Sequence, residues 1–155
     1  MVKYMNRQGY YDETKTIYGN YGTLFLNDAQ VAECTAFQAK AKLNKVEVPM
    51  CGTNAKKHKT VGWDGSGTMT LNKVSDRMIL LLMDNLRDGI ETVCTLISKI
   101  SDPGNGGTSR VKLSGVKFDE LTVADWSSNK LGTESIPFTF EDMEALDTID
   151  PSIVK

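Results

Sequence analysis

Phe37-Gln-Ala-Lys-Ala-Lys-Leu43 alternates an apolar residue with a polar one at every step, and Val61-Gly-Trp-Asp-Gly-Ser-Gly-Thr-Met-Thr-Leu71 returns with the same period of two. Such alternation marks a strand with one apolar face, because successive side chains of extended backbone point to opposite sides. Phe37, Ala39, Ala41 and Leu43 share a face in the first run; Val61, Trp63, Met69 and Leu71 share one in the second, with Gly65 and Gly67 between them. Glycines inside a strand mark a kink or a close approach by another group. The first run then changes phase, since Val46 and Val48 are apolar about Glu47. A one-residue slip would turn the strand inside out, so a bulge or bend is expected near Asn44-Lys45. Pro49 ends the run.

The two runs predict a long hairpin, about Phe37 to Val74, whose loop is Pro49-Met-Cys-Gly-Thr-Asn-Ala-Lys-Lys-His-Lys-Thr60. A strand of about 12 residues spans about 40 Å. A compact chain of this length has a radius of gyration of about 15 Å and a diameter of about 40 Å. The hairpin is therefore as long as the domain, and its tip is expected to project. Two-stranded arms are marginal in isolation, so a projecting arm is expected to find a partner.

Charge is distributed unevenly along the chain. Between Gln38 and Lys59 stand six lysines and one acid, Glu47; between Gly132 and Asp150 stand six acids and no base. The net charge of −2 hides this bipolarity, which would let one end of the fold attract the other end of a neighbouring copy. The longest apolar run, Met78 to Met83, is six residues and far too short to cross a bilayer, so no membrane insertion is expected. Met1 to Tyr11 lack the apolar core of a secretory signal, which places synthesis in the cytoplasm. Cys34, Cys51 and Cys94, odd in number and widely spaced, read as free thiols rather than a disulfide framework or a metal site.

Elsewhere, Thr23-Leu-Phe-Leu26 and Gln30-Val-Ala-Glu-Cys34 read as short strands about a tight turn at Asn27-Asp28. Ser75 is the expected cap of a helix from Asp76 to Arg87, with Gly89 just past its end, packed on the sheet. Thr92 to Ile100 is apolar on both parities and reads as a central strand. Asp102-Pro-Gly-Asn-Gly-Gly107 is a turn, and Arg110 to Leu121 a strand with a second phase slip at Gly115. Ile136, Phe138 and Phe140 mark the last strand, after which the acidic chain is expected to fray. The fold class is mainly β: an antiparallel barrel or sandwich with one packed helix. The organisation is a flexible N-terminal arm at 1–20, a β-barrel domain at 21–142 and an acidic tail at 143–155.

Catalytic, cofactor and metal motifs are missing from the sequence, so no enzyme activity and no cofactor are expected. His58 is flanked by lysines and has no partner for base or ligand work. Gly65-Ser-Gly67 has no helix start behind it and is no phosphate cradle. Asp119 and Glu120, as strand neighbours, face opposite sides and cannot act as a dyad. Lys40, Lys42, Lys45, Lys56, Lys57 and Lys59 could bind single-stranded nucleic acid, the alternative function, but only Phe37 and Trp63 are near for base stacking. A small-molecule barrel would want large apolar lining residues, where this chain has Ala39, Ala41, Gly65 and Gly67.

Several stretches, in order, carry a resemblance. They include Thr23-Leu-Phe-Leu-Asn27, Phe37-Gln-Ala-Lys40, Asn44-Lys-Val-Glu-Val48, His58-Lys-Thr-Val-Gly62, Gly65-Ser-Gly-Thr-Met-Thr70, Val116-Lys-Phe-Asp119 and Pro137-Phe-Thr-Phe-Glu-Asp142. Together they resemble the tail-tube proteins of contractile phages, defective prophages and phage-tail-like bacteriocins, the family of the PBSX tube subunit. The resemblance implies a barrel-like structural subunit, hexameric rings stacked into a tube within a sheath, and sheath, tape-measure and baseplate proteins as partners. DNA enters only as lumen cargo. In that family the long hairpin loop contacts the adjacent ring. The contact residues this implies are Pro49, Met50, Cys51, Gly52, Lys56, Lys57, His58 and Lys59. The acids near Glu141 to Glu144 are the expected receivers of the lysines.

Overall fold

In the computed structural model, which describes residues 11–154, Asn27 and Asp28 turn the chain back between β1 (Gly22–Leu26) and β2 (Ala29–Gln30). Both take left-handed backbone, with φ of 48° and 69°, which Asn and Asp tolerate and a two-residue hairpin requires. The long hairpin follows as β3 (Cys34–Val48) and β4 (Lys57–Asn72). Its register pairs Phe37 with Met69, Ala39 with Gly67, Ala41 with Gly65 and Leu43 with Trp63, so the two expected apolar faces coincide. The pairing then jumps from Asn44–Gly62 to Lys45–Thr60. The break lies where the phase slip predicts it, but the extra residue is Val61 on the return strand. Val46 and Val48 consequently stay on the face opposite Leu43 and remain exposed. The loop is also shorter than expected: Lys57 to Thr60 pair with Val48 to Lys45 as strand. Their polarity disguised them, because on a ribbon open to water neither face has to be apolar.

Helix α1 spans Arg77–Arg87. Ser75 does not cap it; Asp76 occupies the N-cap without a side-chain cap bond, and its carboxylate turns to Lys73 Nζ at 3.0 Å. Gly89 ends the helix as expected, with φ 72°. Its N–H donates to the Leu86 carbonyl and the Ile90 N–H to the Asn85 carbonyl, the paired bonds that close a helix at glycine. Met78 and Leu82 reach the core, whereas Leu80 is 84% exposed, so the sheet covers only part of the apolar circumference.

The chain continues through β5 (Cys94–Ile100), β6 (Ser109–Phe118), β7 (Thr133–Phe140) and β8 (Asp142–Asp147). Every pairing is antiparallel, and the sheet runs β2-β1-β5-β6-β7-β4-β3 with β8 added on β6. β6 joins two leaves. Its first half lies between β5 and β8, and its last two residues pair with β7. The bend is at Gly115, φ 65°, where the Glu141 N–H donates to the Ser114 carbonyl and the Glu141 side chain fills the space a Cβ would need. The leaves enclose Leu24, Leu96, Val116, Met69, Ile136 and Phe138. β2 and β3 end the path without pairing to each other, so the sheet rolls over the core but does not close.

Two expectations about the ends need revision. Past Asp142 the chain forms β8 instead of fraying: Met143 and Ala145 lie opposite Leu113 and Val111. Arg110 Nε stands 2.9 Å from Asp147 Oδ2, an ion-pair distance, though off the line a hydrogen bond needs. Of the arm assigned to 1–20, residues 1–10 lie outside the described residues. The segment before β1 is tied to the β5–β6 turn. Buried Asp102 accepts the Tyr18 and Gly104 N–H groups at 2.8 Å each, and Asn105 Nδ2 donates to the Lys15 carbonyl at 2.7 Å.

Gly65 and Gly67 are hollows for aromatic rings. A Cβ at Gly65 would come within 2.6 Å of the Phe140 ring; one at Gly67 would meet Phe138 at 2.6 Å and run into the Gln38 carbonyl oxygen. Phe37 stacks on Phe138 with centroids 5.6 Å apart. Gly67→Ala is expected to cost about 1–3 kcal/mol in urea unfolding, while Gly62→Ala, with nothing within 4 Å, should leave the midpoint nearly unchanged. A second test concerns α1, which Arg77 ties to Glu33 at 2.8 Å. Burial works against the Glu33 carboxylate, but the Arg77 hydrogen bond, a backbone hydrogen bond and the Arg77 charge together outweigh it and hold the carboxyl below its ordinary 4.5. The stability this adds is present above pH 4.5 and lost as pH falls through the lower folded value. Glu33→Gln should lower Tm at pH 7 by about 2 °C, with the gap to wild type narrowing at acid pH.

Candidate assembly surfaces

The β3–β4 pairing carries all eight residues of the candidate contact to one end of the molecule. Pro49, Met50, Cys51, Gly52 and Lys56 lie in the connection; Lys57, His58 and Lys59 open β4 opposite Val48, Glu47 and Val46. Every one of them is exposed. Gly52 has φ 87°, which only glycine adopts readily, and the Thr53 hydroxyl accepts the Ala55 N–H at 3.1 Å. Among the described residues none of the six hairpin lysines enters an ion pair. Apolar side chains are uncovered on both faces of this end: Leu43, 56% exposed, on one, and Val46 and Val48 on the other.

The acids behave differently. Glu134 is buried against Lys73 Nζ at 2.7 Å, Glu141 lies 3.1 Å from Lys117 Nζ, and Asp147 faces Arg110. Glu134 first, then Asp76, raises the Lys73 ammonium pKa; Glu141 does most of the same for Lys117. Of the region expected to receive the lysines, Asp142 and Glu144 enter no ion pair among the described residues. The bipolarity of the sequence is thus partly used up inside the fold, and the basic tip keeps its charge.

Two surfaces were not foreseen. Between β3 and the β6–β8 leaf a cleft of about 400 Å³ opens, lined by Phe37, Ala39, Ala41, Val111, Leu113 and Met143. At the far end of β4 from the tip, residues 119–132 form a long irregular connection with Trp126 86% and Leu131 95% exposed. An isolated tryptophan in a polar stretch offers no period to read, so only its exposure reveals it.

The chemistry is spare. Among the described residues no three His, Cys, Asp or Glu side chains gather as metal ligands, and no helix is long and apolar enough to cross a membrane. Asp119 and Glu120 lie just past the end of β6, not within it: the Asp119 N–H still donates to the Pro137 carbonyl at 2.9 Å in the β6–β7 register, but Pro137 has no N–H to return the bond. The two aromatics near the lysines are engaged elsewhere, Phe37 on Phe138 and Trp63 against Phe140 at 5.9 Å. Base stacking on Phe37 would pull it off the core.

Residues 9–147 match the family model described as "Phage tail tube protein". The chain is 40% identical over 132 residues to the phage-like element PBSX protein XkdM of Bacillus subtilis (strain 168), covering 83% of this chain and 89% of that one. In fold it is similar to a chain of the anti-feeding prophage tube-terminating cap, with TM-score 0.69 at 13% identity over 96% of this chain and 100% of that one. It is also similar to a chain of the sheath-tube complex of an extracellular contractile injection system, PVC, in the extended state. There the TM-score is 0.61 at 10% identity over 84% and 93% of the two chains.

Thiol chemistry reports on the tip. Cys51 is exposed, Cys34 half-buried and Cys94 buried, and desolvation pushes the Cys34 and Cys94 thiols up. One thiol per folded chain should react rapidly with a maleimide, and Cys51→Ser should abolish that fast phase, leaving Cys34 and Cys94 to react on unfolding.

Proposed function

This chain belongs to the phage tail tube protein family, and from that premise we propose that it is a structural subunit. Its copies close into hexameric rings and stack as the inner tube of a contractile phage-type tail. The observation that carries this reading is the basic hairpin end with uncovered apolar residues on both faces. A soluble monomer gains nothing from such a surface, and an open ribbon of this kind invites association. The unclosed sheet adds a second demand for a neighbour, because among the described residues β3 offers an unpaired edge beside an apolar cleft. Surfaces at different places on one chain make heterologous contacts, which close as rings sideways and continue without limit along an axis.

In this reading the subunit does no chemistry: it is a rigid conduit. Its outer wall meets a sheath protein, its ends meet baseplate and tape-measure proteins, and DNA is at most cargo in the lumen. The subunit is made in the bacterial host cytoplasm and ends in a tail or tail-like particle. The hairpin end, Pro49, Met50, Cys51 and Gly52 with Lys56, Lys57, His58 and Lys59, contacts the adjacent ring. Lys56→Glu, Lys57→Glu and Lys59→Glu together should leave the circular dichroism spectrum unchanged and stop tube growth in electron micrographs. Long tubes from the triple variant would sink the hairpin contact; wild-type protein that stays monomeric at high concentration would sink the tube itself.

A further inference from the structure

We propose that the connection between β6 and β7, residues 119–132, with Val74 beside it, is the surface that receives the hairpin tip of a second copy. This rests on the tube reading and names the other half of its axial contact. The connection lies at the end of β4 away from the tip: Val123 and Asp125 stand beside Lys73 and Thr133, and the Lys73 N–H donates to the Gly132 carbonyl at 2.8 Å. It presents Val123, Trp126 and Leu131 to solvent, and Val74 is 77% exposed next to them. A long irregular segment bearing large exposed apolar side chains is rarely idle.

The hairpin tip carries the complementary set. Val46, Val48 and Met50 are exposed there, with Lys56, Lys57 and Lys59 around them. The receiving connection holds Asp119, Glu120 and Asp125 against Lys130 alone. Apolar surface thus meets apolar surface, and positive charge meets negative. β4 is 16 residues long and spans about 50 Å at about 3.3 Å per residue, so the two patches cannot meet within one chain. They meet when one copy is translated along the strand direction onto the next, and that repeat does not close. Among the described residues no ion pair engages Asp119, Glu120 or Asp125, whereas Glu134, Glu141 and Asp147 are already paired.

The native Cys51 supplies the test. In the full chain, Leu131→Cys places a second exposed thiol in the receiving surface, and a short bis-maleimide is added to assembled protein. A head-to-tail contact links Cys51 of one copy to position 131 of the next. Denaturing gels should therefore show a ladder well beyond dimer, lost when Cys51→Ser is added. Separately, Trp126→Ser should keep rings and shorten tubes about tenfold. If the variants form full-length tubes with no ladder, or if wild type gives a Cys51–Cys51 dimer as its main product, the docking is overturned while the tube stands. If wild type forms neither rings nor tubes, the tube reading falls and the docking with it.

Discussion

The rings of Phe138 and Phe140 rest on a strip of backbone that has no side chains. Gly67 lies beneath Phe138 and Gly65 beneath Phe140, on the strand paired with both. Each buried ring contributes about 1.5–3 kcal/mol, and only while both hollows stay empty. Phe37 stacks on the first ring from β3 and Trp63 leans on the second from β4. β3, β4 and β7 become one stiff unit up to that level. Beyond Leu43 and Trp63 no ring from β7 continues the support, since β4 and β7 stop pairing at Gly65–Phe140. The hairpin is therefore held firmly at its base and left bare at its tip.

A second constraint, the bend at Gly115, decides what the rest of the sheet can do. Left-handed backbone there lets β6 serve both leaves, and the Glu141 side chain sits where any other residue would put a Cβ. The same bend lets the chain pass from β7 into β8, from one leaf to the other, across a single residue. The cost of this economy is an open seam beside β3. That seam, the tip and the 119–132 connection are three surfaces of different shape, which is what a ring that also stacks requires.

Much of this architecture could be read from alternation. Phe37 to Leu43 and Trp63 to Leu71 announce their strands because burial on one side demands apolar residues at every second place. Gly115 and the Asn44-Lys45 slip were legible for the same reason, as places where the demand changes side. Lys57 to Thr60 and Met143 to Leu146 were not, since strands bordered by water need no period. Ser75 misled because a helix cap depends on which side chain happens to face the first turn, and Asp76 is drawn to Lys73 instead.

The sequence by itself determined the β class, the length and basic charge of the hairpin, its phase break and the glycine positions in its return strand. These are local: each follows from backbone sterics and the period of burial. Only the tertiary structure decided which of the charges remain free, because an ion pair joins residues far apart in the chain, as Lys73 joins Glu134 and Lys117 joins Glu141. It also decided that Trp126 and Leu131 face solvent at the end opposite the tip. Exposure is a property of what packs nearby, and no run of neighbours in sequence encodes it.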